Sequence, residues 1–486
     1  MKKKRLFIYT ILFCSLLLLG CTPKPEHVRV VNTLPAIYPD YADVTIPCNI
    51  APLNFLLRGQ ADALEVRVKG TTDSLIVNTD TKVCFPIKAW KKLLKAEVGK
   101  SLTVQVTARI GGEWISYRAF QWQVVADKID SYLSYRLIEP GYEVWNALQI
   151  CERNLENFDE RAIADNNQLN ESCMNCHIYG NQHGNLSMFH LRGKDGGTIL
   201  NRNGKMRKLT LKNGNMISAA VYGAFHPTGR FGVFSTNIII PEFHMQGSRR
   251  MEVYDTASDV VVADFDDNRM LQTPLLSNPD VFETFPVFSA DGKSIYFCSA
   301  PKVSLPNDVK KLKYSICRIA FDAGKKQFGT KVDTLWNARL TGKSACHLKT
   351  SPDGKYILYT VADYGTFPIW HRETDLQLMN LQTGAVDKLT RVNSDKSDTY
   401  HSWSSTSRWF VFASKRDDGQ YGKPYFAYVD KSGKVRKPFV LPQEDPAHYD
   451  ETLKSYNIPE LSTSKLQFDA TDVEQTYKNL KAESFK

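Results

Sequence analysis

Cys173-Met174-Asn175-Cys176-His177 places two thiols two residues apart, with an imidazole directly behind them. That is the spacing of covalent c-type haem attachment. Each thiol can add to one vinyl group of a porphyrin, and the turn between them sets the next imidazole under the iron as an axial ligand. Cys173 and Cys176 would then carry thioether bonds, and His177 the iron. The same residues could instead form a disulfide or contribute to a metal site. Zinc finds no second Cys-x-x-Cys, and no βαβ pattern surrounds the pair as in a thioredoxin-like motif. Haem c is therefore the expected cofactor.

The iron needs a second axial group or an open position. Met188 and His190 are the leading candidates, because they lie two apart in an alternating stretch and share one face of a strand. Methionine–histidine and bis-histidine ligation both suit electron transfer. His183 is nearer but sits in a polar, glycine-containing stretch. His226, His244, Met245, His347, His371 and His401 are more distant, and a histidine in a strand is more often a hydrogen-bonded structural group.

Haem attachment takes place outside the cytoplasm, so the N-terminus bears on the motif. Lys2, Lys3, Lys4 and Arg5 precede an apolar run from Leu6 to Leu19. Residues 1–20 read as a signal peptide. Leu18-Leu19-Gly20-Cys21 resembles a bacterial lipobox, which makes Cys21 the lipidation site. Thr22 and Pro23 follow it with no aspartate, a pattern that implies an outer-membrane lipoprotein of the cell envelope. Residues 21–40 contain four prolines and no clear period, the character of a tether. The expected partners are a membrane, through the lipid anchor, and an unidentified redox or protein partner. The formal charge of +10 includes the four signal-peptide cations. No basic cluster is interleaved with aromatics, so nucleic acid is not an expected partner.

Of the ten cysteines, Cys14 leaves with the signal peptide. Six lie outside the motif and the lipid site: Cys48, Cys84, Cys151, Cys298, Cys317 and Cys346. Cys48 with Cys84 is the favoured disulfide. Cys298 and Cys317 sit in apolar strand-like runs and are expected as buried small hydrophobes.

The elements that would position the motif are β-rich. Residues 41–127 hold short alternating segments punctuated by Gly and Asp, with a helical piece at Ala89 to Ala96. They suggest a small β-sandwich of immunoglobulin-like size. Residues 128–172 read as a linker or blade-closing segment. Within it, Asn146 to Asn154 is helix-compatible and Glu156 to Asn170 is polar. From 173 onward the chain repeats. Phe225 to Ser235, Phe288 to Cys298, Thr350 to Thr360 and Trp403 to Ala413 each pair a turn, often Asp-Gly, with an alternating strand. One small sheet per repeat reads as the blades of a β-propeller.

Ser351-Pro352-Asp353-Gly354-Lys355, the strand after it, Leu378-Met379-Asn380-Leu381, Thr383-Gly384 and Leu389-Thr390 together resemble the TolB-like β-propeller repeat. The resemblance covers 173–442 and implies about six blades, with ligands held at the central channel or on one face. Residues 186–213 look like one more blade, with the Cys-x-x-Cys-His motif where its first strand would begin. Five blades are recognisable, and a sixth could come from 128–172 or from 444–470. Residues 443–486 are a closing segment and tail, helix-compatible from 471.

The expectation is an all-β chain: a lipid-anchored, extracytoplasmic, mono-haem c-type protein on a propeller, serving electron transfer or haem-linked sensing. A non-redox surface or periplasmic binding scaffold and a helper in cytochrome c biogenesis are the alternatives. The loops Asp363 to His371 and Asp398 to Ser404 carry aromatics that could line a pocket. Trp370, Trp403 and Trp409 could equally pack between blades. No Gly-x-Ser-x-Gly motif with a following hydrolase domain points to a peptidase, and a non-enzymatic role is favoured.

Overall fold

A computed structural model describes residues 25–139, 147–193, 195–242 and 251–486, with Cys176 described by its backbone alone. The stretch expected to be a signal peptide, the expected lipidation site Cys21, His244 and Met245 lie outside the described residues. The chain divides into two compact units. One comprises Met1–Asp43, Pro52–Val124 and Pro442–Asp450; the other comprises Val44–Ala51, Val125–Leu441 and Glu451–Lys486. The segment 442–450 therefore belongs to the first unit, although in sequence it adjoins the C-terminal tail.

In the first unit, Ala63–Lys69, Ser74–Thr79, Ser101–Ile110, Glu113–Ser116 and Phe120–Val125 form an antiparallel sheet. Their alternation buries Val66, Val68, Val104, Val106 and Trp122 on one face. Helix Ile87–Ala96 turns Trp90, Leu93 and Leu94 inward. Trp90 stacks on Phe85 at 5.4 Å and meets Trp122 edge-on at 5.5 Å. The proline-rich stretch is a tether only in part. Arg29–Val30 pairs with Ile115 and Ser116, and Ile37–Tyr38 pairs with Leu56 and Leu57. Proline is tolerated at such edges, where no ladder bond is lost.

The second unit is a series of six antiparallel sheets of four strands each, the first carrying an added short parallel strand. The sheet that holds the motif runs Met174–Gly180, His183–Leu191, Gly197–Arg202, Lys205–Thr210. Four more follow in chain order, beginning at Ala220–Phe225, Val281–Phe288, Ser344–Thr350 and Asp398–Trp403. The sixth sheet draws on both ends of the unit. Strand Ser455–Ser462 pairs with Tyr132–Ile138, which is followed outward by Leu148–Asn154 and Glu160–Asp165. Leu148–Asn154 is thus a strand where the sequence alone read helix-compatible. Seven residues are too few for a helix to stand by its own period, and pairing on both sides decides the conformation.

Each inner strand touches the next, and Ser455–Ser462 touches both Asp398–Trp403 and Met174–Gly180, so the six close a ring. The apolar clusters sit between consecutive sheets. One joins Ile178, Met188 and Leu200 to Phe234 and Val261; another joins Phe282, Cys298 and Ile316 to Leu348, Ile357 and Tyr359. No sheet buries both its faces alone, and the arrangement is propeller-like.

The repeated turn has a local cause. Ser351 Oγ donates to Asp353 Oδ1 at 2.7 Å and accepts the Tyr356 N–H at 3.0 Å, and Gly354 takes φ 70°. Ser289, Asp291 and Gly292 repeat this at the previous sheet. Ser407 holds the same place at φ 57° in the fourth copy, without glycine's freedom.

Candidate functional site

Every inner strand breaks register with its neighbour, the Met174–Gly180 strand twice and the others once. In five of them the extra residue has a left-handed backbone: Tyr222, Phe285, His347, Tyr400 and Ile458, with φ between 45° and 53°. Holding a side chain there costs about 1–3 kcal/mol each, and such strain gathers at functional sites. All five line one cavity of about 320 Å³ in this unit, at the lower end of ordinary ligand pockets. Four of them make a continuous collar. Tyr222 and Phe285 lie 5.1 Å apart, Phe285 and His347 4.6 Å, and His347 and Tyr400 4.9 Å between ring centroids.

In the Met174–Gly180 strand the corresponding break falls between Asn175 and Ile178, which is where Cys176 and His177 stand. Cys173 is a half-buried free thiol on the cavity wall, beside Asn175. His177 is 4% exposed, and neither ring nitrogen makes a hydrogen bond among the described residues. Burial pushes its pKa down to about 3, opposed less strongly by a hydrogen-bonding contact with the Ser134 backbone that falls short of full hydrogen-bond geometry, with Arg136 and Lys349 adding to the depression. It is a neutral imidazole at pH 7.

His347 and His401 stand on the same cavity wall as Cys173. Burial pushes both down to about 3, and Lys349 repels each of them as it does His177. His401 Nε2 meets the Leu358 carbonyl at 2.8 Å, while its Nδ1 has no partner. His347 Nδ1 approaches Thr399 Oγ1 at 3.5 Å. Lys349 itself is paired with Glu460 at 2.5 Å. Asp255, also on the wall, accepts from Asn237 at 2.9 Å, yet burial raises its carboxyl to about 7.

His177, Met188 and His190 are not among the residues that line this cavity. Met188 is packed in the apolar cluster with Leu200 and Phe234, a place its thioether fills as a hydrophobe. His190 Nδ1 meets Thr198 Oγ1 at 3.2 Å, and burial lowers its pKa to about 4. Other histidines hold structural contacts. His183 engages Ser464, His226 joins Thr228 to the Gly292 carbonyl, and His371 pairs with Glu252 at 2.7 Å. Trp403 and Trp409 are buried, with Trp409 Nε1 donating to the Asp127 carbonyl. Trp370 is the tryptophan that reaches the cavity. The Cys48–Cys84 disulfide does not form: both thiols are free, and they bond to the carbonyls of Ala126 and Glu444 respectively. Cys298 and Cys317 are buried. No cluster of three or more His, Cys, Asp or Glu suited to a bare metal ion occurs among the described residues.

The collar was missed in the sequence, though a signal exists. Tyr222, Phe285, His347 and Tyr400 each precede the left-handed turn residue of their sheet, Gly229, Gly292, Gly354 and Ser407, by the same seven positions.

No family profile matches the chain, and no curated protein does. Solved structures do resemble it at low identity. Prolyl oligopeptidase B from Galerina marginata is 10% identical over 69% of this chain, with a TM-score of 0.35. A puromycin-hydrolyzing peptidase of Mycobacterium tuberculosis is 11% identical over 71%, with a TM-score of 0.37. The chain spans 42% and 52% of these two proteins. A DUF4784 family protein from Bacteroides caccae is 8% identical over 74% of this chain and 97% of its own, with a TM-score of 0.31.

Proposed function

We propose that this chain is a c-type haem protein, with Cys173 and Cys176 as the attachment thiols and His177 as an axial ligand. The observation that carries the reading is His177: a buried, neutral imidazole whose ring nitrogens make no well-formed hydrogen bond among the described residues, directly behind a Cys-x-x-Cys pair. A buried polar group with no partner is costly, and a ligating imidazole must be unprotonated. The residues therefore fit such a group. When bound, it would supply one-electron chemistry, and the role proposed is electron transfer or haem-linked sensing.

His347 would be a further residue able to hold such a group, beside the sequence candidates Met188 and His190. Its strand stands three places from the motif strand in either direction round the ring of six, and it shares the cavity with Cys173. The aromatic collar would exclude water and hold a flat ligand. The N-terminal signals carry the remainder of the proposal: Cys21 lipidated and the body held at the outer membrane. The second unit is proposed as a six-bladed TolB-like propeller and the first as an immunoglobulin-like sandwich.

The test is a pyridine haemochrome spectrum of protein purified from an envelope that matures other c-type cytochromes, beside a Cys173→Ser/Cys176→Ser control. A covalent haem band lost in the control supports the proposal. A colourless parent protein sinks it.

A further inference from the structure

Lys415, on the cavity wall, has no counter-charge bonded to it among the described residues. Lys415 follows the Trp409–Ser414 strand, its N–H donating to the Ser397 carbonyl at 2.9 Å. Its side chain is 3% exposed, and Nζ makes no hydrogen bond among the described residues. Nζ rests 3.3 Å from the ring centroid of Trp370, and both residues line the cavity. A ring face offsets only part of the desolvation of an ammonium. Burial holds the Lys415 pKa down to about 7, with Asp418 the acid that opposes this. The Asp418 carboxylate is itself occupied by the N–H groups of Gln420 and Tyr421. Lys349, by contrast, has Glu460. Arg136, Arg192, Lys349 and Lys415 line the cavity against Glu139 and Asp255, and burial brings both Lys415 and Asp255 to about 7. The wall favours an anion, and the collar favours a flat apolar body.

We propose that the cavity takes a planar, largely apolar ligand bearing a carboxylate, which meets Lys415 over the face of Trp370 while the flat part lies against the collar of Tyr222, Phe285, His347 and Tyr400. The inference does not rest on covalent haem. A porphyrin tethered at Cys173 and Cys176 brings such carboxylates, and so does a free aromatic acid.

The experiment uses full-length Cys173→Ser/Cys176→Ser protein titrated with 1-naphthoate, followed by fluorescence, and with its uncharged methyl ester. Saturable naphthoate binding is expected. Lys415→Met should weaken it about tenfold or more, the value of one charge-assisted hydrogen bond, and change ester binding less than about twofold. Methionine keeps the length of the side chain and removes a buried charge; Lys415→Gln is the second variant, and thermal melts verify folding of both. Absence of saturable naphthoate binding, or equal naphthoate affinity in parent and folded variants, overturns the proposal. With haem attached, loss of naphthoate binding would assign the carboxylate to the porphyrin, and retained binding to a free acid.

Discussion

Replacing His177 with leucine separates a ligand from a structural histidine. The imidazole is 4% exposed, its nitrogens make no well-formed hydrogen bond among the described residues, and at pH 7 it is neutral. A buried polar group left unsatisfied costs about 1–3 kcal/mol, whereas an apolar group of similar size does not. Imperfect shape returns up to about 1.5 kcal/mol. In the Cys173→Ser/Cys176→Ser background, without haem, His177→Leu should therefore stabilise the second unit by about 1 kcal/mol. With a urea slope of about 3 kcal/mol/M, its unfolding midpoint rises by about 0.3 M. The same substitution in the haem-loaded protein should abolish low-spin ligation. Equilibrium urea unfolding with a near-ultraviolet signal reads the first effect. Destabilisation by 1 kcal/mol or more would mean that native hydrogen bonds hold His177 and that the ligand argument has lost its footing.

Acid should weaken the haem-free second unit. His177, His347 and His401 are pushed to about 3 from an ordinary value of 6.5, so the unfolded chain takes up protons that the folded one refuses. Stability then falls as pH drops from 6.5 towards 3, by at most about 1.4 kcal/mol per unit for each histidine, and is insensitive to them above 7. Equal urea midpoints at pH 7 and pH 5 would contradict this. Asp255 acts with the opposite sign: its folded value is raised to about 7, so its contribution worsens as pH rises from 4 to 7. Asp255→Asn should add about 1–3 kcal/mol at pH 8 and little at pH 4, and an equal gain at both pH values would refute it. Deleting residues 455–486 removes the strand paired with Tyr132–Ile138 and should abolish cooperative unfolding of the second unit; a retained sharp melt would count against ring closure.

Much of the propeller-like unit was legible because its cause is local. A Ser–Asp–Gly turn fixes its own hydrogen bonds, and the strand behind it alternates. The sixth sheet was half-legible. Both contributing segments stood out, but nothing local says that Ser455–Ser462 crosses to Tyr132–Ile138, since that pairing spans most of the chain. Leu148–Asn154 failed because seven residues are too few to show a period, and pairing with Tyr132–Ile138 and Glu160–Asp165 decides the conformation. The Cys-x-x-Cys-His spacing stands out in the sequence, and its chemistry is a proposal. The cavity lining was not legible, because His347 and Tyr400 reach it through bulges that no residue type announces. Lys415 escaped notice because a lysine after a strand ordinarily faces water.

The most direct measurement is peptide mapping by mass spectrometry of the mature protein from its native envelope. The account predicts one porphyrin covalently held by a single peptide spanning residues 173–177, through both cysteines. An unmodified pair of thiols, or a Cys173–Cys176 disulfide, in cells whose other c-type cytochromes are loaded would contradict it.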